Sequence, residues 1–325
     1  MQKQTLQAEL QNNNSNTQNN QLQTEAQKQY VVRAYYRFVE LEDYEQLREK
    51  FLNYFEEKNK QGKNIKGTIL LAREGINSTM SAPEKEMREW FEFLNADPRL
   101  ANIPYKDSYS DSQPFRKMKV RLKKEIVRLG SEFLPFELDI NKRGEYVKGE
   151  DWDKLISDPE VITIDTRNEY EILLGTFEGA VNPHTNEFRN FPKWVDENLD
   201  KNKHKKVAMF CTGGIRCEKS TSLLKNMGFE NVYHLDGGIL QYLEDTNNKN
   251  GKWQGSCFVF DDRVAVDDHL VPAKHIRCKK CGNPITIDEV VWGANQKGVT
   301  CAEAGQYCVN HMDIQFGEVG PENKS

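Results

Sequence analysis

The chain has no apolar run long enough to cross a bilayer, and its first residues carry no apolar secretory segment. No membrane partner is expected, and a cytoplasmic protein is. It also lacks net positive charge. With a formal charge of −5 over 325 residues it is no polycation, so nucleic-acid binding has to come from a local basic patch. No glycine-rich dinucleotide fingerprint and no facial triad of metal ligands is visible, so no redox cofactor is evident. Large apolar side chains are almost missing from residues 1–29, where Gln and Asn crowd. Such a tract cannot offset the entropy of ordering and reads as a disordered tail. Complete disulfide pairing is excluded by the cysteine count, seven, which points to a reducing compartment and to thiols kept for catalysis or metal.

The remaining length is enough for two or three domains. Residues 30–130 alternate strand-like and helix-like segments. Val31-Val-Arg-Ala-Tyr-Tyr-Arg-Phe-Val is β-branched and aromatic, as a strand requires, and Asp43 is placed to cap a helix that turns Leu47, Phe51 and Phe55 inward. Strands at Lys66–Ala72 and Ile76–Ser81 flank a Glu74–Gly75 turn. A helix with Met87, Trp90 and Leu94 inward follows, then strands at Tyr105–Tyr109 and Lys117–Leu129. The order β-α-β-β-α-β describes a ferredoxin-like α+β sandwich, a fold that does not by itself establish function.

The last of these strands is the densest basic stretch of the chain. Alternation sets Lys117, Lys119, Arg121 and Lys123 on one face and Met118, Val120 and Leu122 on the other. One reading is a solvated edge whose lysines block strand pairing. The other is a track for the phosphates of a nucleic-acid backbone, with tRNA the candidate partner.

The most informative residues are Val207-Ala-Met-Phe-Cys-Thr-Gly-Gly-Ile-Arg-Cys-Glu-Lys-Ser. An apolar strand delivers Cys211 into a short loop, Thr212, Gly213, Gly214, Ile215 and Arg216, from which a helix runs on through Leu224. Glycines let backbone N–H groups turn toward the sulfur, the helix start adds its positive dipole end, and Arg216 adds a cation. All three favour a thiolate and an anion attached to it, so Cys211 is the candidate nucleophile and the loop its binding site. The ring from Cys211 to Arg216 is one residue tighter than the phosphate ring of Cys-x5-Arg phosphatases, which suits a smaller group such as the outer sulfur of a persulfide. Cys217 reads as a packing residue, with resolution of an oxidised Cys211 as the alternative.

Val161-Ile-Thr-Ile-Asp-Thr-Arg-Asn-Glu-Tyr-Glu, Gly175-Thr-Phe-Glu-Gly-Ala and Val232-Tyr-His-Leu-Asp-Gly-Gly-Ile surround that loop in the order of the rhodanese superfamily. The similarity over 150–245 implies a small α/β domain with a mostly parallel sheet and its site beyond the strands' carboxyl ends. Asp165 and Arg167 leave the first strand at that edge and are expected to form a structural ion pair supporting the loop. The tail from 246 to 325 holds Cys257, Cys278, Cys281, Cys301 and Cys308. The Cys278-Lys-Lys-Cys281 spacing suits one tetrahedral ion. Cys301 and Cys308 would complete a structural zinc site, with His311 as a substitute ligand, and free thiols are the alternative.

With Arg73-Glu-Gly-Ile-Asn and Phe188-Arg-Asn-Phe-Pro added, the whole from about residue 30 to 310 resembles the tRNA uridine hydroxylase (TrhO-like) family. The resemblance implies oxygen-dependent conversion of tRNA uridine 34 to 5-hydroxyuridine, an essential cysteine at Cys211, dioxygen as co-substrate and an unidentified electron donor. The alternative is a rhodanese-type sulfurtransferase working through a Cys211 persulfide.

Overall fold

Alternating and helical periodicities partition the first hundred described residues into strand Tyr30–Phe38 (β1), helix Tyr44–Lys60 (α1), and strands Lys66–Ala72 (β2) and Gly75–Ala82 (β3). Helix Glu84–Asn95 (α2) and strands Tyr105–Ser110 (β4) and Met118–Leu122 (β5) follow. The structure is a computed structural model that describes residues 30–130, 142–297, 300, 307, 308 and 311. The Gln/Asn tract at 1–29 and Cys301 lie outside the described residues. The chain divides into two compact units between Lys123 and Lys124.

In the first unit the sheet runs β4-β1-β3-β2-β5, antiparallel except for the β2–β5 pair. The four strands in the order 4-1-3-2 are those of the ferredoxin-like sandwich, extended by β5 at one edge. Leu47, Phe51 and Phe55 recur every fourth residue on α1 and meet Met87, Trp90 and Leu94 of α2 over the sheet. Trp90 fills the centre of this core, its ring 5.0 Å from Phe51 and its indole N–H donating to the Tyr35 hydroxyl at 2.8 Å. Asp43 does not cap α1 with its side chain; it pairs with Arg99 instead. The turn in Arg73-Glu-Gly-Ile-Asn has a steric origin. Gly75 sits at φ +144°, and a Cβ there would lie 2.0 Å from the Arg37 carbonyl oxygen.

The basic strand is shorter than alternation implies. β5 ends at Leu122, which is exposed rather than inward, and the ladder closes with the Lys123 N–H donating to Leu71 O. Beyond it Ile126 and Leu129 are buried. The Glu125 carboxylate accepts from the Leu129 and Gly130 N–H groups and from Lys219, so this stretch belongs to the second unit and is not strand.

The second unit is built on four parallel strands, Glu145–Val147 (β6), Val161–Asp165 (β7), Lys206–Phe210 (β9) and Asn231–Leu235 (β10), in the order β6-β10-β9-β7. Helices cover both faces, as a doubly wound sheet requires. Gly149–Ile156 (α3) and Gly238–Thr246 (α7) lie over one face with Phe210 and Ala208. Phe191–Asn198 (α5) and Ile215–Asn226 (α6) lie over the other with Val207 and Met209. The short helix Glu169–Ile172 (α4) and strand Gly175–Phe177 (β8) follow β7. Strand Trp253–Gly255 (β11) pairs with β8, and Trp253 packs on Phe177 at 5.3 Å, so the tail begins as part of this core. Strands Cys257–Phe258 (β12) and Ala265–Val266 (β13) form a second pair. Strands His275–Arg277 (β14) and Pro284–Thr286 (β15) make a hairpin that leads to helix Ile287–Lys297 (α8). No helix among the described residues is long and apolar enough to cross a membrane.

Candidate active site

Because β7, β9 and β10 are parallel, their carboxyl ends share one edge of the sheet, and the three loops that leave there meet. Cys211 follows β9 directly, and alternation along the strand sends its side chain to the same face as Val207 and Met209. Gly214 adopts φ +90° and ends the loop as the first half-turn of α6; only glycine takes that conformation without strain. Its N–H donates to the Cys211 sulfur at 3.1 Å. Gly213 differs, since a Cβ there meets nothing within 4 Å, and it and Ile215 are the half-exposed points of an otherwise buried loop.

The Cys211 loop is held from behind by α7. Ile239 and Leu240 donate their N–H groups to the carbonyls of Cys211 and Thr212. That approach is possible only because residue 238 has no side chain. A Cβ on Gly238 would lie 2.5 Å from Cys211 O and 2.7 Å from both Gly214 N and Thr212 O. Gly238, the second glycine of the closing motif, is thus a packing requirement of the nucleophile loop.

Burial alone would raise the Cys211 pKa. It is outweighed by the hydrogen bond with the Cys217 thiol, the charge of Arg216 and the backbone N–H groups of Arg216 and Cys217, which bring the thiol down to about 6. Cys217 moves the other way. Burial and the neighbouring Cys211 charge push it well up, so the pair carries one negative charge, on Cys211, with Cys217 as donor. Thr166 Oγ1 lies 3.8 Å from the Cys217 sulfur and donates to Phe210 O at 2.9 Å. The sequence placed Cys217 on the first helical turn; its hydrogen bond to the nucleophile is a tertiary feature. Cys257, buried beside Thr212, is raised by burial to about 12 and stays a thiol.

Arg216 lends its charge to the Cys211 thiolate while itself paired with a carboxylate. Its guanidinium forms two hydrogen bonds with Glu171, Nη1 to Oε2 at 2.6 Å and Nη2 to Oε1 at 2.7 Å, with both side chains buried. Burial pushes the Glu171 carboxyl up, but Arg216, with Arg167 behind it, holds it below the ordinary carboxylate value. Glu171 also accepts from the Asn168 N–H and from the Thr212 hydroxyl, tying α4 to the nucleophile loop. Sequence reasoning missed this residue. The signal was its place in the Asp165–Glu171 motif, but nothing in the spacing pairs it with an arginine 45 positions on.

Asp165 and Arg167 form a second buried pair, Oδ2 to Nη2 at 2.6 Å. Arg167 also donates to the carbonyls of Glu171 and Gly175, and Thr176 donates to Asp165. The pair fastens the α4 turn and touches no part of the Cys211 sulfur's hydrogen-bond set. A separate cavity of about 610 Å³, lined by Pro159, Val161, Gly179 and Lys203 among others, opens at the amino ends of the strands, away from this chemistry.

In the first unit, Lys117, Arg121 and Lys123 are exposed and Lys119 is half-buried, and none of the four has an ion-pair partner among the described residues. In the tail, Cys278, Cys281 and Cys308 come together with His311.

The Cys211 thiolate gives a direct test. The difference in thiolate absorbance between the wild type and Cys211→Ser is expected to rise with a midpoint near pH 6; a midpoint near the ordinary value of 9.0 would contradict the site geometry. The folded pKa lies below the unfolded one, so between these values the unfolded chain binds more protons. The stabilisation from Cys211 is therefore fully present above about pH 9 and is lost as pH falls through about 6.

A family model of the UPF0176 acylphosphatase-like domain matches residues 30–126, and one of the rhodanese-like domain matches residues 149–245. Among solved structures, the chain is similar to a protein of unknown function, a possible tyrosine phosphatase, from Rhodopseudomonas palustris. The identity is 22% over 33% of this chain and 84% of that one, with a TM-score of 0.28. It is similar to a rhodanese-related protein from Thermoplasma volcanium at 23% identity, over 31% of this chain and 92% of that one, with a TM-score of 0.26. A rhodanese-like domain from Anabaena sp. matches at 18% identity over 34% and 78% of the two chains, with a TM-score of 0.29.

Proposed function

We propose that this chain, a rhodanese-domain protein with the two-domain architecture of the tRNA uridine hydroxylase (TrhO-like) family, converts uridine at tRNA wobble position 34 to 5-hydroxyuridine through Cys211. The observation that carries the reading is the charge balance around the sulfur. Cys211 is a thiolate at neutral pH, while Arg216 and Arg167 are each matched by a buried carboxylate. The loop is thus a nucleophile site without a spare buried cation from either arginine, which suits a neutral uracil ring better than a dianion such as thiosulfate.

In the proposed reaction the Cys211 sulfur adds to C6 of uracil, forming a C–S bond and placing the electron pair on C5 as an enolate. C5 takes one oxygen atom from dioxygen. Loss of the C5 proton and departure of the sulfur restore the C5–C6 double bond. The second oxygen atom leaves as water, using two electrons and two protons from a separate reductant. Uridine, dioxygen, two electrons and two protons thus give 5-hydroxyuridine and water. The Gly214 N–H and the adjoining amides hold the sulfur in position for addition and accept it back as a thiolate.

The first unit supplies the candidate RNA contact. Lys119 and Arg121 project from one face of β5, with Lys117 and Lys123 just beyond its ends, and Val120 on the opposite face belongs to the core. Changing the four to glutamine is expected to weaken tRNA binding and to lower the log–log salt slope by roughly 0.7–0.9 per lost phosphate contact. The Cys211 thiolate titration should not change. An unchanged slope in the folded variant would place the RNA elsewhere.

The same amides would also hold the outer sulfur of a Cys211 persulfide, which favours sulfurtransfer as the second reading. Nucleoside analysis of tRNA from cells with and without this gene, paired with a thiosulfate sulfurtransferase assay, separates the two. Loss of 5-hydroxyuridine without sulfurtransferase activity supports hydroxylation. Unchanged wobble uridines with rapid sulfur transfer would replace it.

A further inference from the structure

Among the described residues, the chain around β14 and β15 buries little apolar material. Its buried cluster is Cys278, Ile285, Val290 and Ala294, with Tyr307 and Cys308 partly covered. A cluster of that size does not fix a hairpin, a helix and a returning chain segment, and small elements of this kind are usually stapled by metal or disulfides. No disulfide is present among the described residues: the sulfurs of Cys281 and Cys308 lie 3.9 Å apart, about twice a bonded distance.

The geometry around those sulfurs is that of a metal site. Cys278 follows β14, and Cys278-Lys-Lys-Cys281-Gly282 turns back into β15. The Cys278 N–H donates to Asn283 O, the Gly282 N–H donates to Cys278 O, and Gly282 takes φ +78°. This tight turn directs both sulfurs to one side. From the other side come Cys308 and His311, joined by the His311 N–H donating to Cys308 O at 2.8 Å. The four donor atoms all lie within 4.8 Å of one another. Cys278 Sγ to His311 Nδ1 is 3.8 Å, Cys281 Sγ to Cys308 Sγ is 3.9 Å, and Cys308 Sγ to His311 Nδ1 is 3.1 Å. A tetrahedral zinc with bonds of about 2.3 Å to sulfur and 2.0–2.1 Å to nitrogen has ligand–ligand edges of roughly 3.5–3.8 Å. The 3.8 Å separation lies at the long end of that span, the 3.9 Å one exceeds it by about 0.1 Å, and the 3.1 Å one opens by a few tenths of an ångström to reach it.

We propose that Cys278, Cys281, Cys308 and His311 bind one structural zinc ion, which pins the β14–β15 hairpin to the chain segment carrying residues 308 and 311. Three thiolates and a neutral imidazole form a soft, closed tetrahedral set that selects zinc over the hard cations and leaves no position for substrate. The ligand set differs from four cysteines in that His311 takes the fourth place, and Cys301 is not needed. The site also has a mechanical connection. Arg277, immediately before the first ligand, donates to the carbonyls of Val259 and Asp261, in the segment that joins β12 to β13. Fixing the hairpin therefore fixes the anchor of that segment, whose Cys257 and Val259 pack in the core of the rhodanese-like unit.

The test is metal analysis of the full chain purified without chelator, with the variants His311→Ala, Cys281→Ser and Cys301→Ser alongside. The wild type is expected to carry one zinc per chain, Cys301→Ser to retain it, and the other two to lose most of it. Cobalt exchanged into the wild type should give the intense visible bands of a tetrahedral ion and a sulfur-to-metal charge-transfer band sized for three thiolates, a readout that requires no variant to fold. An unchanged Cys211 titration would show that a zinc-depleted variant keeps its rhodanese-like unit. A wild type that takes up no zinc when loaded, iron in its place, a weak octahedral cobalt spectrum, or loss of zinc in Cys301→Ser with retention in His311→Ala would each overturn the assignment.

Discussion

Serine at position 211 is expected to lower turnover by about 10³-fold or more while leaving the protein folded. The reason is electronic. The loop amides, the Cys217 thiol and the Arg216 charge bring a thiol down to about 6, so the nucleophile is ionised at neutral pH. A serine hydroxyl in the same cradle stays protonated, because its intrinsic acidity is far weaker and its near neighbour Cys217 is a donor with a raised pKa. Substitution removes one atom's polarisability and little volume, so the thermal midpoint should move by no more than a few degrees. Activity within about tenfold of wild type would rule out chemistry at Cys211. Cys217→Ser should behave differently. It keeps a donor toward Cys211, so it should retain most activity with only a modest change in the thiolate midpoint.

The largest effect on stability is expected from Glu171→Gln. The change is isosteric but removes the charge that matches Arg216, leaving a guanidinium buried without its counterion. Removing one partner of a buried pair typically costs about 3–5 kcal/mol, because the remaining charge keeps its desolvation penalty. For a unit of this size that corresponds to a midpoint lower by roughly 10 °C. Replacing both partners, as in Glu171→Leu with Arg216→Met, should recover much of the loss, since no uncompensated charge remains. Chemical denaturation of the two single variants and the double variant reads this coupling. A Glu171→Gln cost below about 1 kcal/mol would mean that the pair is solvated and that α4 does not support the loop.

How far these features could be read from the sequence follows from the distance over which they are encoded. The ferredoxin-like and rhodanese-like folds are visible in local periodicities, such as Leu47, Phe51 and Phe55 on one helix face and Val207–Phe210 as a buried strand. Cys211, Gly214 and Arg216 are equally legible because the loop is contiguous. Its supports are not. Glu171 reaches Arg216 across 45 residues, and Gly238 has to be bare because another loop's carbonyls lie within 2.7 Å of where its Cβ would be. The charge of Arg216 could be read with the loop, but its carboxylate partner could not. The basic strand came out too long for a related reason. Alternation continues past Leu122, but Leu129 is drawn into the core of the second unit with Val127 packed against it, so the pattern outlasts the sheet. His311 stood in the sequence only as a substitute for a cysteine, because ligand spacing does not tell which of several nearby donors folds back onto Cys278 and Cys281.

In the proposed function, Cys211 directs an oxygen atom from dioxygen onto C5 of the wobble uridine. Cells lacking this gene, complemented with the wild-type chain or with Cys211→Ser and grown under ¹⁸O-labelled dioxygen, test it with their own reductant in place. The expected result is 5-hydroxyuridine in tRNA that carries the heavy isotope, present with the wild-type chain and absent with the serine variant. Unlabelled 5-hydroxyuridine, or the labelled nucleoside at equal levels with both chains, would contradict the account.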